Sequence, residues 1–362
     1  VACVLIAFPV GYAWLNRPGV HDAALRGAVL RGDVGETERL LDKGANPNLP
    51  AMNCNQLALE VALVFTPRNK QEIIGLLLDH GADPNAMADN GMPLTTWAMQ
   101  FGRLTPEIVG LFAQAGATLN QQDKRGRTVL YSAVAHPVPK KATIAALLAA
   151  GADPNVQDKD GRTALHDAAS RPGSWAADIV KLLLDHGADP NLKDNKGRIP
   201  LVRGVDTEDV ALLLVEAGSD LTFADSQGRT PLRTVTERGG SKAALAMIAR
   251  GADVNAEDKW GSTPLFGAAS GGNVVVARAL VAKGAGINHA NRGGYTPLHF
   301  AAASFQKNMV TYLVQQGANL DAKDKEGRTP LAYAKSRNDS LTPERTERKK
   351  ATIEYLESRE VK

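Results

Sequence analysis

The chain has 362 residues, 44% of them hydrophobic and 22% charged, with 42 Lys and Arg against 39 Asp and Glu for a net charge of +3. That composition excludes a disordered chain and argues against a protein whose main task is coating nucleic acid, where a strong basic excess is expected. Two cysteines, Cys3 and Cys54, exclude a disulfide framework and a thiolate zinc site.

Taken in chain order, the first stretch stands apart. Val1 to Leu15 carries no charged residue, and Asn16-Arg17-Pro18-Gly19 ends it sharply. As a helix it would reach roughly 22 Å, short of the ~30 Å hydrocarbon core of a bilayer. The chain opens on Val1 rather than Met, and Tyr12 and Trp14 sit near the end of the apolar run. The segment is therefore expected to be the remnant of a signal peptide or membrane anchor, residues 1–19, giving membrane contact through residues 1–15. The alternative is an apolar element packed on the domain that follows.

From there the sequence repeats. Gly-Ala-Asp-Pro-Asn recurs at Gly81–Asn85, Gly151–Asn155 and Gly187–Asn191, with looser copies at Gly44, Gly116, Gly218, Gly251, Gly284 and Gly317. The nine glycines are spaced 37, 35, 35, 36, 31, 33, 33 and 33 residues apart. A second signature follows most of them, from Gly126-Arg-Thr through Gly161-Arg-Thr-Ala-Leu-His to Gly294-Tyr-Thr-Pro-Leu-His and Gly327-Arg-Thr-Pro-Leu. A period near 33 carrying Thr-Pro-Leu-His resembles the ankyrin repeat from about His21 to Ser358. The resemblance implies an all-α solenoid of stacked helix pairs joined by hairpin fingers. We expect about ten repeats over 20–358: an N-terminal cap at 20–48, internal repeats at 49–321, a C-terminal cap at 322–358 and a tail at 359–362.

The residues account for such a unit. Thr296 can cap a first helix, and Pro297 at its start loses no needed N–H. His166 and His299 are expected to bond back to the turn rather than to catalyse. Gly187 fits the left-handed position past a helix end. Extra residues fall between paired helices near Phe65–Lys70, His136–Lys141 and Arg171–Trp175, with Trp175 expected in the inserted loop. The 31-residue spacing predicts a shortened first helix around Val202–Thr207. A charged helix after Thr342-Pro343 closes the array, with Ile353 and Leu356 left for packing.

Chemistry is sparse. Phosphate-loop, zinc-protease, nucleophile-elbow and Cys-x-x-Cys patterns do not occur. Gly284-Ala-Gly lacks the third glycine of a dinucleotide loop, and a calcium loop around Asp158 fails because Val156 takes the first ligand position. No enzyme, cofactor or metal is expected. Cys54 reads as an incidental small residue, and Asn338-Asp339-Ser340 matches a glycosylation sequon.

What the resemblance implies is a concave groove of finger tips and first helices that binds a protein. Seven five-residue tip windows, starting at Asp123, Asp158, Asp194, Asp225, Asp258, Asn291 and Asp324, hold twelve Lys or Arg against eight Asp or Glu. We expect a basic part made by Lys124, Arg125, Arg127, Lys159, Arg162, Lys196 and Arg198, facing an acidic patch of the partner. An aromatic part is expected at Lys259, Trp260, Arg292, Tyr295 and Phe300, with Phe305 on the same first helix as Phe300. An arginine after the finger glycine is ordinary family usage, and Trp260 and Tyr295 can equally serve a neighbouring finger. The repeat style resembles bacterial members, so the expected setting is a bacterial inner membrane or periplasm, with the cytoplasm or secretion as the alternative. The expected partner is a toxin, as for an immunity protein against an antibacterial lipase, an envelope protein, or a host protein; nucleic acid is not expected.

Overall fold

A computed structural model describes residues 20–49, 56–88, 90–204, 207–336 and 342–360. Residues 1–19, Cys54 and Asn338, with the readings attached to them, lie outside the described residues. Twenty helices occur among those described. They run α1 (Val20–Arg31), α2 (Val34–Asp42), α3 (Ala58–Val64), α4 (Lys70–Asp79), α5 (Leu94–Gln100), α6 (Pro106–Gln114), α7 (Val129–Ala135), α8 (Lys141–Ala149), α9 (Ala164–Ala169) and α10 (Ser174–Asp185). The order continues with α11 (Pro200–Gly204), α12 (Glu208–Glu216), α13 (Pro231–Arg238), α14 (Ser241–Ala249), α15 (Pro264–Gly271), α16 (Val274–Ala282), α17 (Pro297–Ala303), α18 (Lys307–Gln315), α19 (Pro330–Ser336) and α20 (Pro343–Glu360). No strand is present among the described residues, only an isolated bridge between Met87 and Pro93. No described helix is long and apolar enough to cross a membrane.

Two compact units divide the described residues: those up to Ala168 with Leu182–Asp189, and Ala169–Lys181 with those from Pro190 onward. In the first, α1, α3, α5 and α7 stack in sequence while α2, α4, α6 and α8 form a second row. In the second, α13, α15, α17 and α19 make one row, and α12, α14, α16, α18 and α20 the other. Each helix pair exposes too much apolar surface to stand alone, so stacking supplies a continuous core. Its members include Leu63, Ile73 and Phe112 in the first unit and Leu232, Phe266 and Leu298 in the second, all buried.

The recurring Asn ties each repeat to the one that follows it within a compact unit. Asn48, Asn155, Asn191, Asn255 and Asn288 each donate through Nδ2 to the carbonyl of the following repeat's Gly, at 2.7, 2.9, 3.1, 3.0 and 3.0 Å. Those glycines end the second helices in the left-handed region, Gly187 at φ 83°, where a Cβ is costly. The expected histidine contacts are present: Nδ1 of His166 and His299 accepts from the amides of Thr163 and Thr296 at 3.2 and 3.1 Å, with the threonine Oγ1 atoms 3.0 and 2.9 Å away.

Three details refine the expectations. The shortened helix is α11, at Pro200–Gly204, slightly earlier than predicted. A Cβ on Gly204 would stand 2.9 Å from both Leu214 and Val210, so α12 presses on it directly. Trp175 is not in the inserted loop but in the first turn of α10, with Arg171 over its ring at 6.0 Å; the loop is shorter than the sequence suggested because the helix begins at Ser174. In the closing helix α20, Leu356 is buried as expected, together with Thr352, while Ile353 is only half-buried.

Candidate functional site

The finger is built around one aspartate. Asp123 Oδ1 accepts from the amides of Arg125 and Arg127 at 2.8 and 2.9 Å, and Oδ2 accepts from the Arg127 guanidinium at 2.9 Å. The Asp194, Asp225 and Asp324 fingers repeat this with Arg198, Arg229 and Arg328. Asp158 and Arg162 form a looser pair at 3.5 Å, since Arg162 also reaches Asp160 at 3.0 Å. Burial acts to raise the carboxyls of Asp123, Asp194, Asp225 and Asp324, but the arginine and amide donors outweigh it and hold all four below the usual carboxylate range.

Arg127, Arg162 and Arg198 are thus engaged within their own fingers. Lys124, Arg125 and Lys159 in the first unit stand exposed on the tips, as do Lys196, Lys259 and Arg292 in the second. Successive tips are pinned to one another through backbone. Lys159 N donates to Arg125 O at 2.9 Å, Lys259 N to Gln227 O at 2.8 Å, Arg292 N to Trp260 O at 2.8 Å and Lys325 N to Gly293 O at 3.0 Å. Gly126 shows why glycine sits at the tip: its φ is 77°, and a Cβ would lie 2.8 Å from Lys159 N.

The structure groups the sequence-predicted residues by unit. Lys124, Arg125, Arg127, Lys159 and Arg162 line neighbouring fingers of the first unit, while the other seven belong to the second. There, Lys196 and Arg198 open onto a depression of about 670 Å³. Phe223, Arg229, Thr234 and Arg238 complete much of its wall. Sequence reasoning missed Phe223 and Arg238, because neither belongs to a finger signature.

Two fingers depart from the rule. Asp258 has Ser262 where an arginine is usual, and the cation comes instead from α13: Arg233 Nε lies 3.3 Å from Asp258 Oδ2. At the next finger Asn291 and Tyr295 replace the Asp–Arg pair. Arg328 of the following finger donates to the Tyr295 hydroxyl at 3.0 Å. Tyr295 also meets Tyr333, His299 and Phe300 with ring centroids 5.2, 5.8 and 6.2 Å away, and Phe300 packs edge-on against buried Phe266 at 5.3 Å. Trp260 alone of this group is strongly exposed, at 54%.

Among the described residues no three His, Cys, Asp or Glu side chains are placed to hold a metal ion. Burial pushes the His299 imidazole down, opposed by the hydrogen bond that its Nε2 donates to the Arg328 carbonyl; the ring serves the capping box of α17.

A family model described as ankyrin repeats in three copies matches the chain at residues 64–158, 95–194, 138–225, 177–258, 201–291, 232–324 and 283–342. The chain belongs to the ankyrin-repeat family, and such repeats are protein-interaction modules. No curated protein matches it.

Proposed function

We propose that the chain is a non-enzymatic scaffold that binds a protein partner through its finger tips and first helices, with acidic groups of that partner meeting the exposed tip cations. The observation that carries this is Trp260: a large indole left 54% exposed on a finger whose backbone is pinned to its neighbours at Gln227 and Arg292. A rigidly held aromatic anchor loses little entropy on docking, and interfaces concentrate their energy in such residues. In the first unit, Lys124, Arg125 and Lys159 offer exposed charge, which suits steering.

Affinity capture from cells that make the protein, followed by binding kinetics, tests the reading. Trp260→Ala should speed dissociation, by roughly 2 kcal/mol or about thirtyfold, and leave folding intact. Reversing Lys124, Arg125 and Lys159 to Glu should slow association and flatten its salt response, as screening acts beyond about 8 Å at physiological ionic strength. Parent-like binding by both variants, with loss on changing the second-helix rows, would overturn it. Tethering through residues 1–15 belongs to the same proposal: the full chain should fractionate with membranes and a chain starting at Val20 should not. The captured partner, a secreted toxin, an envelope protein or a host protein, decides between immunity, envelope and effector roles.

A further inference from the structure

The side of the first unit formed by the turns between paired helices carries a second surface, unrelated to the fingers. Four successive turns each expose one apolar residue: Leu30 near the end of α1 (36%), Phe65 closing α3 (48%), Phe101 closing α5 (54%) and Val138 after α7 (69%). The turns follow one another in space. Thr66 Oγ1 donates to Val29 O at 2.9 Å, and Asn69 Nδ2 to Gly32 O at 3.1 Å. Lys140 Nζ lies 3.5 Å from Gly102 O, and a Cβ on Gly102 would stand 3.8 Å from the His136 ring. Their segments, 30–33, 65–70, 101–105 and 136–141, contain Arg31, Arg68, Lys70, Arg103, Lys140 and Lys141 against a single acid, Asp33. Arg31, Arg68, Arg103, Lys140 and Lys141 are exposed. The bordering carboxylates Glu36, Glu72 and Glu107 sit in the first turns of α2, α4 and α6, and Glu36 is held by Arg39.

An apolar tip beside one or two cations, repeated turn after turn, is poor material for a protein interface. Such interfaces concentrate their aromatic anchors in one desolvated centre rather than spacing apolar side chains singly along an edge. It is what a charged lipid surface selects: cations meet headgroup phosphates while single apolar side chains reach the headgroup–acyl boundary. We propose that this edge of the first unit rests on an anionic lipid bilayer, with Phe65, Phe101 and Val138 entering the interface and Arg68, Arg103, Lys140 and Lys141 binding its phosphates. The contact is peripheral and reversible. It orients the unit on a membrane and is distinct from any tether at residues 1–15.

The full chain, with Cys3 and Cys54 replaced by serine, is labelled with a polarity-sensitive fluorophore at Val138→Cys or, as a finger control, at Lys159→Cys. It is then mixed with vesicles of phosphatidylcholine alone or of phosphatidylcholine and phosphatidylserine in equal parts. The label at 138 should shift to the blue and be quenched by brominated acyl chains in the mixed vesicles only, while the label at 159 stays in water. Reversing Arg68, Arg103 and Lys140 to Glu should lower the affinity reported by that quenching about a hundredfold, and added salt should weaken the parent in the same direction without any substitution. Three results would overturn the proposal: vesicles that carry the chain but leave position 138 unquenched, as a tether elsewhere predicts; quenching equal in neutral vesicles; or burial of the label only on addition of a captured protein.

Discussion

Phe101 and Phe305 stand at the same place in their repeats, eight residues after Pro93 and Pro297 respectively, yet one is 54% exposed and the other 1%. The turns around them explain the difference. In the first unit five residues, Phe101 to Thr105, separate α5 from α6; in the second only Ser304 to Gln306 separate α17 from α18. The short turn forces Phe305 itself into the left-handed region at φ 57°, which swings its ring into the core beneath Arg345 and Lys349. The longer turn lets Gly102 take that conformation at φ 63°, and Phe101 stays outside with the Trp97 ring against it, 5.1 Å away. Turn length therefore decides whether an aromatic at this position is core or surface. The first unit uses the longer turns to display apolar and basic groups.

The sharpest way to break that comparison is to truncate both rings. Phe305→Ala should cost about 3–5 kcal/mol, the usual range for a buried phenylalanine. Phe101→Ala should cost about 1 kcal/mol, mostly its edge contact with Trp97. Denaturant unfolding followed by circular dichroism reads both; equal losses would show that Phe101 is part of the core after all. A smaller contrast lies in the fingers. Arg233 is a buried cation serving Asp258 from another element, with side chains 10% and 1% exposed, whereas Arg127 serves Asp123 from within its own finger and is 23% exposed. Removing Arg233 should cost about 3 kcal/mol because it strands a buried carboxylate whose cation is itself buried, and Arg127→Ala about 2 kcal/mol, because Asp123 is nearly as buried (3% exposed) but water reaches the place of the more exposed guanidinium. The shift in unfolding midpoint should rank them in that order.

Much of this architecture is legible in the residues. The glycine spacing, the Thr-Pro start of first helices and the histidine contacts all follow from local rules, because each is satisfied within a few residues of itself. What escaped were contacts made by a residue outside its own signature. Nothing in Arg233 announces that it replaces the missing arginine at Ser262, nor in Arg328 that its guanidinium reaches Tyr295. Of the finger cations, sequence could count charge but not commitment: Arg127 and Lys124 look alike until the aspartate beneath one of them is seen.

One histidine in each unit, His80 and His299, should also answer acid with opposite signs, the smallest effect and the most local. In the first unit, the Leu76 carbonyl 2.9 Å from Nδ1 raises the His80 imidazole above its ordinary 6.5, burial opposing it and Asp42 adding support. A histidine raised in the folded state contributes stability that is fully present below about 6.5 and is lost as pH rises through the folded value. In the second unit, burial lowers His299 below 6.5. Its contribution is present above the unfolded value and is lost as pH falls through the folded one, because protonation would place a charge on a ring whose nitrogens already serve Thr296 and Arg328. On acidification from about 8 to about 5, hydrogen exchange corrected for its intrinsic pH dependence should therefore show the end of α4 gaining protection while the start of α17 loses it. His80→Gln and His299→Gln should each abolish the change in its own unit and leave the other intact. Parallel responses in both units would mean that a different titration governs them, with the finger carboxylates, which lie below their ordinary 3.8, entering only at still lower pH.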